Sequence, residues 1–297
     1  MIKKIVFLFF LLPIFSFGQD FQWAKQFGDG NADRIIAIDV DNNGNSYLLG
    51  ESTSYYFDMN PGPGIDMIEN NTINISGNIC YMIKLDSNGN YVWGKAFNQV
   101  RSTGDYVVGM KIGTDNNIYA LMSLREYSGN TVIPNPNIII VKLDPSGNEL
   151  MVKSIKDLDA NQSSIDPWSF DLDSSNNIFL SGRFVDNVTL NPLNSAFNIS
   201  AVGLGNYILK MDTNGNMIWV KTYDWQHTEF ESLKVGVDDN PNILYHIFVP
   251  STNPTIPSYY QEKLIKLNTA NANEIWTKEF QDMRPSGFHI AANANYI

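Results

Sequence analysis

The chain has 297 residues, with 31 acidic against 20 basic side chains (net charge −11) and a single cysteine. An acidic chain without a Lys/Arg cluster is ill suited to nucleic acid, where neutralised phosphates supply most of the affinity; its charge fits solubility instead. One cysteine, Cys80, excludes a disulfide framework within the chain.

Residues 1–18 read as an export signal. Lys3 and Lys4 give a charged start, Ile5 to Leu12 is an unbroken apolar run, and Ser16 and Gly18 place small residues before a cleavage point at Gln19. The run is far shorter than the ~20 residues of a spanning helix. No cysteine follows it, and no second apolar run of membrane length occurs, so neither a lipid anchor at this point nor a membrane span is expected.

From Phe21 the chain repeats a phrase. FQWAKQF opens it, KLDSNGNYVWGKAF follows at Lys84, KLDPSGNELMVKSI at Lys142, KMDTNGNMIWVKTY at Lys210 and KLNTANANEIWTKEF at Lys266. A period of 56 to 68 residues, lysine to lysine, suits a propeller blade with a long loop and exceeds a helical solenoid unit. A second signature precedes each phrase: DVDNNGNSYLLG from Asp39, GTDNNIYALM from Gly113, DLDSSNNIFLSG from Asp171 and VDDNPNILYHI from Val237. Both carry Asp, Asn and Gly at the turn, flanked by β-branched and aromatic residues in alternation, which is the pattern of half-buried hairpins.

The expectation is an all-β, β-propeller fold with four-stranded blades. The first blade is predicted at strands 35–40, 45–51, 79–85 and 91–97. The repeats fall at about 35–97, 107–155, 168–223 and 232–280, with an incomplete fifth at 287–297. Residues 19–297 then form one β-propeller domain of four complete repeats plus the start of a fifth. FQWAKQF lacks three strands of its own, so it reads as a closing strand. Ending inside a strand at Ile297 reads as a fragment of a longer protein or as a ring closed through partners, including self-association. Trp23, Trp93, Trp219 and Trp276, with Met151 in one copy, fall at one place per repeat, and packing between blades outranks a sugar platform there. The connections from Glu51 to Asn78, Leu124 to Asn137, Arg183 to Asn206 and Pro250 to Gln261 vary in length and are expected to gather on one rim.

The motifs W-x-K-x-F at Trp23, D-x-x-G-N-x-Y-x-x-G at Asp41, F-D-x-N-P-G-x-G at Phe57 and K-L-D-x-x-G-N at Lys84 recur in this order. The pattern resembles the SBBP-type β-propeller repeats of secreted bacterial proteins. The copy from Trp23 to Phe97 is closest. That from Trp168 to Tyr223 has TLNPL in place of the Pro-Gly motif, and those from Tyr106 and Phe230 lack the motif. The resemblance implies an extracellular or cell-surface location, in a Bacteroidetes-like setting where a C-terminal sorting domain serves type IX secretion. No such domain is visible here. It implies no defined reaction.

Four kinds of chemistry are candidates. Asp39, Asp41 and Asn43 resemble the oxygen-rich start of a calcium loop, but its twelfth position is Gly50, so a hairpin turn is the competing reading. His227, His246 and His289 show no ligand spacing, although Glu229 and Glu231 stand near His227. No carboxylate pair departs from the repeat, and no nucleophile elbow or phosphate loop occurs. The candidate ligand residues are therefore aromatics of the connections: Tyr55, Tyr56, Tyr127, Trp225, Tyr259 and Tyr260. The function expected is a secreted or cell-surface, non-catalytic module for a protein or glycan, without cofactor unless calcium. A polysaccharide hydrolase or lyase, and a structural spacer in an adhesin, are the alternatives.

Overall fold

A computed structural model of the chain describes residues 22–28, 31–69, 77–98, 104–128, 132–134, 138–155, 165–190, 197–223, 228–249 and 259–280. The expected signal at 1–18 and the incomplete repeat at 287–297 lie outside them. The first blade contains β1 (Asp33–Val40) and β2 (Ser46–Ser52), then a small hairpin of β3 (Tyr56–Asp58) and β4 (Met67–Glu69), then β5 (Ile79–Leu85) and β6 (Tyr91–Ala96). The second has β7 (Tyr106–Ile112), β8 (Ile118–Ser123), a hairpin of β9 (Glu126–Ser128) and β10 (Val132–Pro134), then β11 (Ile138–Leu143) and β12 (Glu149–Ile155). The third is β13 (Ile165–Leu172), β14 (Ile178–Thr189), β15 (Asn198–Met211) and β16 (Met217–Tyr223), and the fourth β17 (Thr228–Val235), β18 (Pro241–Val249), β19 (Tyr259–Leu267) and β20 (Glu274–Phe280). Each blade is an antiparallel meander in sequence order. The first strands are innermost and touch in the order β1, β7, β13, β17.

The turns form because an Asp staples them. Asp41 Oδ1 accepts from the backbone N–H of Asn43 and Asn45, each at 2.9 Å, and Oδ2 accepts from Asn45 Nδ2 at 2.8 Å. Asp86 with Asn90, Asp144 with Asn148, Asp173 with Asn177 and Asp212 with Asn216 repeat this arrangement. The turn needs one left-handed residue, supplied by Gly89 (φ +76°) in one copy and by Asn176 (φ +62°) in another.

Blades adhere through three devices that recur. The fourth-strand aromatic lies on the next blade's turn: Trp93 Nε1 donates to Pro145 O (3.3 Å) and Trp219 Nε1 to Thr269 O (3.0 Å). Trp23 covers Gly89 so closely that a Cβ there would meet its ring at 2.6 Å, and Met151 covers Gly215 at 2.9 Å. Residues 22–28 thus offer the first blade what a preceding blade's last strand offers the others. The phrase's lysine reaches the same turns: Lys84 Nζ to Pro145 O (2.7 Å), Lys142 Nζ to Thr213 Oγ1 (3.2 Å) and Lys210 Nζ to Thr269 Oγ1 (2.8 Å). Along the inner strands, Asp39 Oδ2 accepts from Ile112 N (2.9 Å), Lys111 pairs with Asp171 (3.3 Å), and Asp171 Oδ2 accepts from Val235 N (3.0 Å).

Apolar side chains fill the space between these devices. Tyr47, Leu49, Cys80 and Met82 meet Ala120, Ile139 and Val141 between blades one and two; Phe179 and Ile208 meet Leu233, Ile243 and Ile265 between three and four. Burial of such side chains contributes about 1.5–3 kcal/mol each. Cys80 is fully buried and its thiol is pushed up by that burial, which suits packing and opposes reactivity.

Each first strand carries a bulge, at Ile35/Ala37, Val107/Gly109, Pro167/Ser169 and Phe230/Ser232. What stands opposite it alternates. Gly50 faces Tyr81 and Gly182 faces Tyr207, whereas Met122 faces Ile139 and Tyr245 faces Lys263. A tyrosine on the third strand thus goes with a glycine on the second.

Candidate functional site

In the first three blades, the described parts of the second-to-third-strand connections do not stand up as free loops. Alternation continues through them, so they fold back as hairpins along the blades. Phe57 is buried against Tyr81, ring centroids 4.4 Å apart, and Met59 is buried beside it. Tyr127, expected to face a ligand, is sealed at the junction of blades one and two and stacks on Phe97 at 6.4 Å, while Ser128 N donates to Phe97 O (2.8 Å). In the third blade the connection is largely strand, with Val188, Leu190, Phe197 and Ile199 in the core. Tyr259 and Tyr260 open β19, paired with Val249 and Phe248, and so are strand residues. Tyr55 and Tyr56 remain as a T-shaped pair at 4.6 Å, with Tyr56 half exposed. Trp225, His227 and His289 lie outside the described residues.

The calcium reading is corrected by where the oxygens point. Asp41 spends both on its own turn and on Tyr47 Oη (3.1 Å). Asp39 instead points across the blade junction to Ile112 N, and Asn43 contributes its backbone N–H to Asp41. The three do not converge on a common point. Among the described residues no group of three or more His, Cys, Asp or Glu could hold a metal ion.

The repeat breaks down at one end of the inner strands, the end where the hairpins arise. The cross-strand pair there is Arg34–Glu51 in blade one, Tyr106–Ser123 in blade two, Asp166–Arg183 in blade three and Glu229–His246 in blade four. Three acids at this end, Glu51, Asp105 and Asp33, are turned inward. Glu51 is buried; its Oε1 accepts from Val107 N (2.7 Å), and its Oε2 from Arg34 Nη2 (3.1 Å) and Asn78 Nδ2 (3.0 Å). Asp105 is buried; it accepts from Arg125 N (2.8 Å) and from Asn98 Nδ2 (3.0 Å). Asp33 Oδ1 accepts from Ser52 Oγ (2.5 Å) and Ser54 Oγ (3.1 Å). Tyr106 Oη donates to Pro167 O (3.2 Å), and burial, then the charge of Asp166, pushes its hydroxyl up to about 12.

The bases are turned outward. The Arg34 side chain is 66% exposed although paired with Glu51. Arg183 is 46% exposed; its Nε donates to Asp166 Oδ2 (3.1 Å) and its guanidinium lies 5.5 Å over the Trp168 ring. Arg125 is exposed just beyond the end of β8. These arginines are far apart in sequence, so no local motif marks them. The available signal was that each falls at the start of a predicted first strand or the end of a second.

Residues 22–58 match the family model of the SBBP β-propeller repeat. Among curated proteins nothing matches the sequence. Among solved structures, similarity is found to a polysaccharide lyase of a new family, PL25 ulvan lyase, bound to -[GlcA(1-4)Rha3S]-. It is 12% identical, and the match covers 78% of this chain and 55% of that one at a TM-score of 0.42. A second structure of PL25 ulvan lyase matches with 12% identity and the same coverage at 0.43. The chain thus spans about half the length of these solved proteins. With the family's repeat at its start and four blades built on one recurring phrase, the chain is a β-propeller protein carrying the SBBP repeat.

Proposed function

We propose that this propeller is a secreted or cell-surface binding module that holds a glycan or protein at the hairpin-bearing end and performs no chemistry on it. One observation carries the reading. Elsewhere the recurring side chains serve turns and blade junctions, whereas at this end each blade carries a different polar pair, ending with Glu229–His246. Surfaces freed from the repeat are where a repeat protein can specialise. The acids favour binding over catalysis. Glu51 and Asp105 are each held by two or more donors, which fixes their oxygens. Tyr106, with its hydroxyl pushed up to about 12, is a poor base at neutral pH.

The test is to incubate the protein with a panel of polysaccharides and bacterial surface proteins, measuring retention and chain cleavage separately. Retention without shortening of the chain supports a binding module. Shortened chains with unsaturated ends would make it a lyase, and neither retention nor cleavage would leave the spacer role.

A further inference from the structure

Resting on that binding reading, we infer that the ligand is a polysaccharide bearing carboxylate or sulfate groups, gripped by the outward arginines Arg34, Arg125 and Arg183 of three consecutive blades. The chain has five arginines, Arg34, Arg101, Arg125, Arg183 and Arg284. Arg34 stands on β1 opposite the penultimate residue of β2, Arg183 stands on β14 at the position Glu51 holds on β2, and Arg125 lies two residues past β8. All three therefore share one end of the fold. Arg101 and Arg284 lie outside the described residues; in sequence they follow the last strands of blades one and four, β6 and β20. The latch lysines Lys84, Lys142 and Lys210 are spent at the opposite, turn end.

The choice of arginine has a chemical meaning. A guanidinium offers a planar fork that matches the two oxygens of a carboxylate or sulfate, whereas an ammonium is a point charge. Arg34 and Arg183 each rest one edge on a carboxylate, Glu51 and Asp166, which orders the side chain before binding. Their exposure leaves N–H groups for a ligand. The three forks stand on three consecutive blades, at or opposite the same end of the second strands. The exposed Tyr56, which opens β3 four residues past the end of β2, adds a face for a sugar ring.

The experiment is affinity electrophoresis of the whole protein through gels containing polygalacturonate, dextran sulfate or plain dextran, for wild type and the variants Arg34→Lys, Arg183→Lys and Arg125→Ala. Arg125→Ala keeps the backbone N–H that Asp105 accepts from. A thermal melt checks each fold. The expected result is retardation by polygalacturonate or dextran sulfate, little by dextran, and binding weakened about tenfold by each variant, the scale of one charge-assisted hydrogen bond. Preference between the two polyanions names the anion. The inference is overturned if the lysine variants bind like wild type, since charge alone would then suffice. It is also overturned if dextran binds as well as the polyanions, although the glycan-binding reading would survive. No retardation by any of the three would overturn both for polysaccharides.

Discussion

Gly182 is the position where the structure leaves no room for a methyl group. A Cβ there would drive into the carbonyl oxygen of Asp166 on the bulged β13 and stand 2.7 Å from Tyr207 Oη. Neither neighbour can yield easily. Tyr207 is fully buried and its hydroxyl donates to that same Asp166 carbonyl at 3.2 Å, holding it against the glycine. Gly182→Ala must therefore push the bulge outward or the tyrosine off its bond. Overpacking of this kind costs about 3 kcal/mol, the upper part of its usual range. For a chain of this size that lowers Tm by roughly 6–12 °C. The second blade shows the remedy, since Met122 fits where Ile139 replaces the tyrosine. The double variant Gly182→Ala with Tyr207→Ile is expected to recover at least half of the loss. Differential scanning calorimetry of the four proteins of this cycle measures it. If Gly182→Ala melts within a degree or so of wild type, or if the double variant is no better than the single, the coupling between these positions is wrong.

Other expectations follow from the junctions and the titrating groups. Trp219→Ala should cost about 3 kcal/mol, because it removes the bond to Thr269 O and the edge contact with Phe179 at 5.9 Å; hydrogen exchange should rise first across residues 259–280. Tyr127→Ala should lower thermal stability and leave ligand binding per folded molecule unchanged, whereas Tyr56→Ala should do the reverse, as a melt beside a binding titration would show. Deleting Tyr55 to Gly64 removes the buried Phe57 and Met59 and should unfold the first blade, detectable by limited proteolysis. The pH profile has two edges. Asn side-chain hydrogen bonds hold Asp86 and Asp144 below their ordinary 3.8, so their contribution is present above that pH and is lost as pH falls further. Tyr106, raised from 10.0 to about 12 mainly by burial, contributes below pH 10 and loses that contribution as pH rises through 12. Tm against pH should be flat from about pH 5 to about pH 9 and fall outside it.

The blades were legible because the signals that make them are local. Alternation and Asp-Asn-Gly turns put the first blade's strands at 35–40, 45–51, 79–85 and 91–97, and the structure has them at 33–40, 46–52, 79–85 and 91–96. The tryptophan positions read correctly as packing, for the same reason that one place recurred per repeat. The connections were harder. Tyr127 sits in a three-residue strand, too short for alternation to declare which face is buried, so its aromatic character looked like exposure. Asp39 and Asp41 looked like a ligand set because sequence gives their spacing and not the direction of their oxygens, one into the turn and one across the junction. The arginines carry no such local signal, because Arg34, Arg125 and Arg183 come to share one end of the fold only through the order of the blades.

The contact of Trp93 with the Gly147 turn, and of Trp219 with Thr269, also bears on how such a gene can lengthen. The covering side chain and the covered turn are carried at opposite sides of a unit, so a duplicated unit arrives with both halves of the next junction already encoded. The seam needs no new surface to be invented. It also has a direction, like a zip, which allows a unit to be inserted in one orientation only. Copies inserted between existing blades can then diverge at the arginine-bearing end while their seams stay fixed, so variation at that end and adhesion between blades are written at separate positions of the same repeat.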